Sequence, residues 1–193
     1  DREKLTGELR QFLAQHPDRK CKIYLLHGDM TDKEVHSLFE HPKISALLTL
    51  SHGEGFGLPV FEAAYTGIPV IAPGWSGQLD FLIDRKTEID YFYNVEYDIQ
   101  PIPEEVVWDG VIIRESMWAF PREQSAKQQM RRCYTELISG PKNPGAKLAK
   151  QNAKRLHKEF SEEIQNARMV ASVCAAMNID PDKTLEEPIL EFE

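Results

Sequence analysis

Apolar residues in the first half of the chain occur either at helical spacing or in short unbroken runs. In residues 5–15 they recur every three or four positions, which predicts an amphipathic helix. Residues 21–26 (CKIYLL), 44–50 (ISALLTL) and 69–73 (PVIAP) are runs of strand length. Because no polar residues alternate within the second run, we expect a parallel sheet that is covered on both faces.

Helices are predicted between these runs from the signals at their ends. Thr31 followed by Glu34 forms a capping box and begins a helix that extends to about residue 40. Pro59 suits a first turn and Gly67 a C-terminal cap, which predicts a helix over residues 58–66. Later patterns predict a short helix at 78–83, a weaker strand region at 89–99, irregular structure at 101–116, and helices at 122–139 and 146–177.

This order of strands and helices predicts an α/β fold with a doubly wound parallel sheet. In such sheets ligands bind at the carboxyl ends of the strands. We expect one domain over residues 1–177. Residues 178–193 are rich in glutamate and contain two prolines, which predicts an extended or disordered acidic tail.

Composition narrows the classes of partner. The 193 residues are 41% hydrophobic and 28% charged, and the net charge is −8 without a stripe of Lys and Arg, so nucleic acid and anionic membranes are not expected partners. No apolar run reaches the length of a transmembrane helix, and no signal peptide is visible. Cys21, Cys133 and Cys174 are scattered, which indicates reduced cysteines in a cytoplasmic protein, without a disulfide framework or a zinc site.

The segment SHGEGFG, residues 51–57, stands where a predicted strand ends and a helix begins. Glycines allow close approach of a ligand, and the amino end of a helix favours phosphate. A dinucleotide fingerprint does not fit, because its third glycine falls on Leu58 or Val60 and the following strand ends in Pro73 without an acidic residue. A glycine-rich connection that binds nothing is the simpler alternative.

Two glutamates flank this helix start. Glu62 lies about one turn inside the predicted helix and leans back toward its amino end, while Glu54 lies in the loop before it. Ionised carboxylates accept hydrogen bonds from the two hydroxyls of a vicinal diol, so phosphate and diol binding together indicate a nucleotide-sugar. The alternative for each is a solvated surface residue. A metal site is less favoured, because no further Asp or His has helpful spacing.

The segment HGEGFGLPVFEA, followed by GIPVIAPGWSG, resembles the donor-binding half of retaining glycosyltransferases of the GT-B fold, the large GT4-type family (glycosyltransferase group 1). Glu54 and Glu62 match the E-x7-E signature of that family. The resemblance is strongest over residues 22–82, and NVEYDIQPIP and WAFP continue it more weakly. It implies a Rossmann-like domain, the C-terminal half of a GT-B fold with extra C-terminal helices, that holds a nucleoside-diphosphate sugar without a metal or other cofactor.

The resemblance also implies roles for single residues. Glu62 binds the ribose hydroxyls, and Glu54 contacts the transferred sugar and acts as the catalytic residue. The remaining donor-binding residues are expected to offer backbone groups or to border the ligand: Gly28, His52, Gly55, Phe56, Gly57 and Leu58. Arg2 or Lys4 could supply the basic contact to the diphosphate. Ser76, Gly77 and Asp80 match the glycine-rich loop of the family only approximately.

The implied activity is transfer of a sugar, with retention, to a glycan, lipid or protein acceptor that the sequence does not identify. We expect the chain to be a fragment or one half of a split enzyme, since the acceptor-binding N-terminal domain is not in it. The alternative from another class is a non-catalytic module that binds nucleotide-sugars. Glu54 as the nucleophile of a retaining hydrolase is less favoured, because Glu62 is assigned to ribose.

Overall fold

Seven helices and seven short strands make up the part of the chain that the structure, a computed structural model, describes: residues 2–140 and 143–180. The helices are α1 (Arg2–Ala14), α2 (Asp32–Glu40), α3 (Leu58–Thr66), α4 (Leu79–Leu82), α5 (Glu123–Ile138), α6 (Pro144–Glu159) and α7 (Glu162–Met177). The strands are β1 (Leu47–Leu48), β2 (Val70–Pro73), β3 (Ile83–Asp84), β4 (Ile89–Asp90), β5 (Tyr93–Val95), β6 (Tyr97–Pro101) and β7 (Met117–Pro121). The predicted tail lies outside the described residues from position 181 onward. None of the described helices combines the length and apolar content needed to cross a bilayer.

The chain divides into two units, of which the first ends at Ser37 and the second begins at Leu38. In the first, Glu34 accepts hydrogen bonds from the backbone N–H and the hydroxyl of Thr31 at 2.8 and 2.9 Å, which confirms the predicted capping box. The strand predicted at 21–26 is wrong. A strand needs a hydrogen-bonded neighbour, and the described residues of this unit contain none, so Tyr24 is 83% exposed.

A parallel sheet of three strands organises the second unit, in the order β1-β2-β5. Leu47 pairs with Val70, and Ile71 pairs with Tyr93. The first pair of strands is joined through α3, so strand, helix and strand follow one another as predicted and the mixed α/β class is confirmed. All four residues of β2 are buried, as expected for a central strand.

The apolar run at residues 44–50 differs from its prediction. Only Leu47–Leu48 is strand, and it lies at the edge of the sheet. Leu48 and Leu50 are 40% and 43% exposed, so the expectation that this strand is covered on both faces is wrong. An unbroken apolar run indicates a strand but does not reveal its place in the sheet.

Helix α3 has the predicted bounds because both ends carry local signals. Pro59 lies in the first turn, and Gly67 ends the helix with a left-handed φ of 83°. A Cβ on Gly67 would lie 3.4 Å from the Cβ of Ala153 in α6. The glycine therefore both ends α3 and allows α6 to pack closely against it.

Two apolar clusters form the core. Ile71, Tyr93 and Val95 of the sheet pack with Ala126 and Cys133 of α5. A second cluster joins four phenylalanine rings, with centroids 5.0–6.3 Å apart, from the loop before α3, from α3, from α4 and from the end of α6: Phe56, Phe61, Phe81 and Phe160. Full burial, as for Phe81, stabilises the fold by about 1.5–3 kcal/mol per large apolar side chain, and the half-buried rings of the cluster contribute less.

Strands β6 and β7 form an antiparallel hairpin in which Tyr97 pairs with Pro121 and Ile99 with Ala119. Residues 117–121 had no predicted element. The segment predicted as irregular, residues 101–116, matches its prediction apart from the end of β6 at Pro101, a 3-10 turn at Glu104–Val106 and an isolated antiparallel bridge between Trp108 and Ile112. The long helical region predicted at 146–177 is two helices. Ser161 separates them and caps α7, accepting the N–H of Ile164 at 3.4 Å.

Candidate active site at the amino end of helix α3

The loop of residues 51–57, called the glycine loop below, leads from β1 into α3. Gly57 stands at the helix start with φ 85° and ψ 56°, and its carbonyl accepts the N–H of Phe61 at 2.9 Å. No side chain caps this end. Among the described residues, no acceptor pairs with the backbone N–H groups of residues 55–58. The amino end of α3 therefore offers unpaired donors together with the partial positive charge of the helix dipole.

A second loop holds the backbone of Glu54. The Glu54 N–H donates to the hydroxyl of Ser76 at 2.8 Å, and that hydroxyl donates to the Glu54 carbonyl. The Gly77 N–H also donates to this carbonyl, at 3.1 Å. Ser76 has a φ of 75°, which is uncommon for a residue other than glycine and fits a loop bent to make this contact. The position of Glu54 thus depends on residues 22 positions away along the chain.

Glu54 and Glu62 are both half-buried, and along the chain they come before and after the helix start. No hydrogen bond or ion pair joins either carboxylate to another described residue. Glu62 lies just over one turn into α3, as the sequence predicts. Two carboxylates with all their acceptor positions open, next to unpaired N–H groups, can accept from ligand hydroxyls while the helix end binds an anion.

Phe56 and Leu58 take part in this site only through their backbones. The Phe56 ring lies 5.0 Å from Phe81 and 5.4 Å from Phe61, so it anchors the glycine loop to the aromatic cluster. The Leu58 side chain is 64% exposed. Gly55 is open, since a Cβ built there meets nothing within 4 Å.

His52 joins the glycine loop to the β6–β7 hairpin. Its Nδ1 lies 2.8 Å from the carbonyl oxygen of Ala119, and its ring stacks on Trp118 at 5.1 Å and contacts Phe120 at 4.5 Å. A carbonyl oxygen only accepts, so Nδ1 carries the proton and the Nε2 of the neutral ring is an acceptor. These contacts give His52 a structural role in addition to the expected position beside a sugar.

Gln78 lies behind the loop and was not identified from the sequence. Its side chain is 2% exposed, and its Nε2 donates to the Pro73 carbonyl at 2.6 Å. Its Oε1 is buried without a partner among the described residues. A Cβ on Gly57 would lie 3.6 Å from the Cβ of Gln78, so Gln78 packs against the start of α3. Only the sheet topology brings it there, and no local motif signals it.

The remaining predicted residues fall in both units of the chain. Arg2, Lys4 and Gly28 belong to the first unit, where Lys4 pairs with Glu8 at 3.9 Å on the same helix. Gly28 is exposed, with a φ of 144°. Asp80 is exposed and pairs with Arg85 at 3.3 Å. Of the approximate match to the family loop, Ser76 and Gly77 contact the glycine loop.

The part of the chain that the structure describes contains no group of three or more His, Cys, Asp or Glu side chains placed to hold a metal ion. Comparisons of the chain with protein-family models, with curated proteins and with solved structures found no match. The chemistry of the site therefore has to be argued from its own residues.

Proposed function

We propose that this chain binds a nucleoside-diphosphate sugar at the amino end of α3 and is the donor half of a retaining glycosyltransferase. The observation that carries the proposal is the uncapped start of α3, where the unpaired N–H groups of residues 55–58 come after Glu54 and before Glu62 along the chain, and both of these half-buried glutamates have carboxylates without a partner among the described residues. A ligand that combines an anion with hydroxyl groups on both sides fits this set of donors and acceptors.

Each part of the ligand has its own partner in this proposal. The N–H groups of residues 55–58 bind the diphosphate, Glu62 accepts from the ribose hydroxyls, and Glu54 accepts from the transferred sugar. The proposal includes the wider expectations of the resemblance: a Rossmann-like domain over residues 1–177, a separate acceptor domain, a cytoplasmic location, and no metal or cofactor. His52 borders the donor.

The reaction forms one bond and breaks another at the anomeric carbon. An acceptor hydroxyl oxygen bonds to this carbon on the face from which the diphosphate oxygen leaves, and the hydroxyl proton passes to the departing diphosphate. Helix N–H groups aimed at that diphosphate stabilise its developing charge. Glu54 fixes the sugar through hydroxyl contacts and so orients the carbon for attack.

Calorimetric titration of UDP, GDP and ADP into the wild-type chain and into Glu62→Gln tests the binding step. We expect at least one nucleotide to bind. Glu62→Gln should weaken it by about 1–3 kcal/mol, since a charged acceptor of two hydroxyls is replaced by a neutral amide. Glu163→Gln, the same change at an exposed position of α7, should leave the affinity unchanged.

Unchanged affinity in Glu62→Gln would show that the ribose assignment is wrong. Turnover is measured separately, as hydrolysis or transfer of the sugar from a donor whose nucleotide binds. Nucleotide binding without turnover, even after an acceptor domain is supplied, would favour the non-catalytic binding module.

A further inference from the structure

A cavity lies at the same edge of the sheet as the glycine loop. Its volume is about 450 Å³, within the usual range for small-molecule sites. It opens where β2 and β5 end, because Gly74 follows β2 and Glu96 follows β5. The lining residues are Gly74, Asn94, Glu96, Tyr97, Arg122 and Gln129.

The charges of this cavity argue against an anion. Arg122 is its one lining cation, and it already binds Asp98 at 2.5 and 2.9 Å and Glu96 at 3.3 Å. These contacts lower the pKa of the Asp98 carboxyl. Glu96 in the lining and Asp98 outside it both bind the Arg122 guanidinium, so this cation has its charge balanced and attracts phosphate only weakly, while the Glu96 carboxylate can accept hydrogen bonds from neutral hydroxyls.

The uncharged side chains that line the cavity also favour a ligand with hydroxyl groups. The Gln129 Oε1 is buried and has no partner among the described residues, although buried polar atoms are nearly always hydrogen-bonded. The Asn94 amide also lines the cavity and offers both donors and an acceptor. The half-buried Tyr97 supplies an aromatic ring, on which the C–H face of a cyclic polyol can pack.

We propose that this cavity binds a neutral saccharide ring, with Gln129, Asn94 and Glu96 on its hydroxyls and Tyr97 against its face. Trp75 joins the cavity to the glycine loop. Its ring packs on Tyr97 with centroids 5.6 Å apart, and a Cβ on Gly53 would lie 3.6 Å from its Nε1.

The test is titration of glucose, galactose, mannose and N-acetylglucosamine into the full chain without nucleotide, followed by calorimetry and by backbone amide NMR shifts. We expect at least one sugar to bind and to shift the amides of residues 94–97. Gln129→Leu and Tyr97→Leu should each weaken it about tenfold, while Gln128→Leu, at the exposed neighbouring position on α5, should not. Inorganic phosphate should leave the same amides unshifted.

The idea is overturned if none of the four sugars binds, if Gln129→Leu and Tyr97→Leu both keep the wild-type affinity, or if phosphate shifts the amides of residues 94–97. Gln129 and Asn94 also line a neighbouring cavity of about 230 Å³, whereas Tyr97 lines only the proposed one, so the Tyr97 variant reports on that cavity alone. Failure here is distinct from failure of the proposed function. A sugar that binds without any nucleotide binding would support the cavity and contradict the donor site.

Discussion

At the scale of single residues, Gly55 and Gly77 lie in two loops that contact each other, but only Gly77 lacks room for a side chain. A Cβ on Gly77 would overlap the carbonyl oxygen of Gly55 and lie 3.1 Å from that of Glu54, whereas a Cβ on Gly55 meets nothing. We therefore predict that Gly77→Ala lowers the free energy of unfolding by about 1–3 kcal/mol, because the loops must separate. Gly55→Ala should change it by less than about 0.5 kcal/mol. Urea denaturation measures both, and equal stabilities would contradict the close approach.

Gly55→Ala also allows an effect on ligand binding to be measured without an effect on stability. Gly55 is one of the residues whose N–H is proposed to bind the diphosphate. Gly55→Ala therefore tests the close approach of a ligand in a protein of normal stability. Weaker nucleotide binding in this variant supports the donor site, and unchanged binding removes Gly55 from it.

How much of the site the sequence predicts depends on separation along the chain. The spacing of Glu54 and Glu62 and the start of α3 could be predicted, because helical periodicity places them relative to each other. The contact of Ser76 with Glu54, and that of His52 with Ala119 across 67 positions, could not. Nothing in a local pattern encodes which distant loops meet, so Gln78 and Trp118 were also missed.

At the scale of elements, α5 packs on the sheet and is also joined to it by a side-chain hydrogen bond. The buried Tyr93 hydroxyl of β5 donates to Glu136 Oε2 at 2.7 Å, and Arg132 binds the other oxygen of that carboxylate at 2.9 Å. Burial raises the pKa of Tyr93 well above its usual value of about 10, and the bond to Glu136 raises it further. Burial also raises the pKa of the neighbouring Cys133.

This raised pKa gives the stability a dependence on pH. Above about pH 10 the phenol of the unfolded chain loses its proton while that of the folded chain keeps it, so unfolding releases a proton and is favoured as pH rises. We predict that the free energy of unfolding falls more steeply above pH 10 in the wild type than in Tyr93→Phe. At neutral pH, Tyr93→Phe should cost about 0.5–1.5 kcal/mol for the lost hydrogen bond. Parallel pH profiles would show that Tyr93 does not titrate as proposed.

Elements whose ends are set locally were predicted best. Helix α3 and the start of α2 follow from proline, glycine and the capping box. A strand depends on a neighbouring strand to pair with, and the local sequence pattern does not reveal which segment that is. Residues 21–26 have the composition of a strand without forming one, and residues 117–121 form β7 because they pair with residues 97–101. Apolar composition therefore predicts burial or pairing only when the topology supplies a neighbour.

At the scale of the whole molecule, the core is unevenly distributed. The buried apolar residues belong to the second unit, from Phe39 onward, and none of the described residues up to Ser37 is buried. Phe12, Tyr24 and Leu26 of the first unit are 55%, 83% and 66% exposed. Because stability follows buried apolar contacts, we infer that the two units differ strongly in local stability.

Hydrogen exchange measured by mass spectrometry at neutral pH tests this inference. We predict that amides in residues 2–37, including those of α1, exchange within about 100-fold of the rate of an unfolded chain, because little apolar burial opposes local opening. Amides of α3, β2 and β5 should exchange far more slowly, since their opening requires the loss of buried contacts on the scale of the global stability. The protected segments are the internal control within each sample. Protection of α1 equal to that of α3 would contradict the prediction.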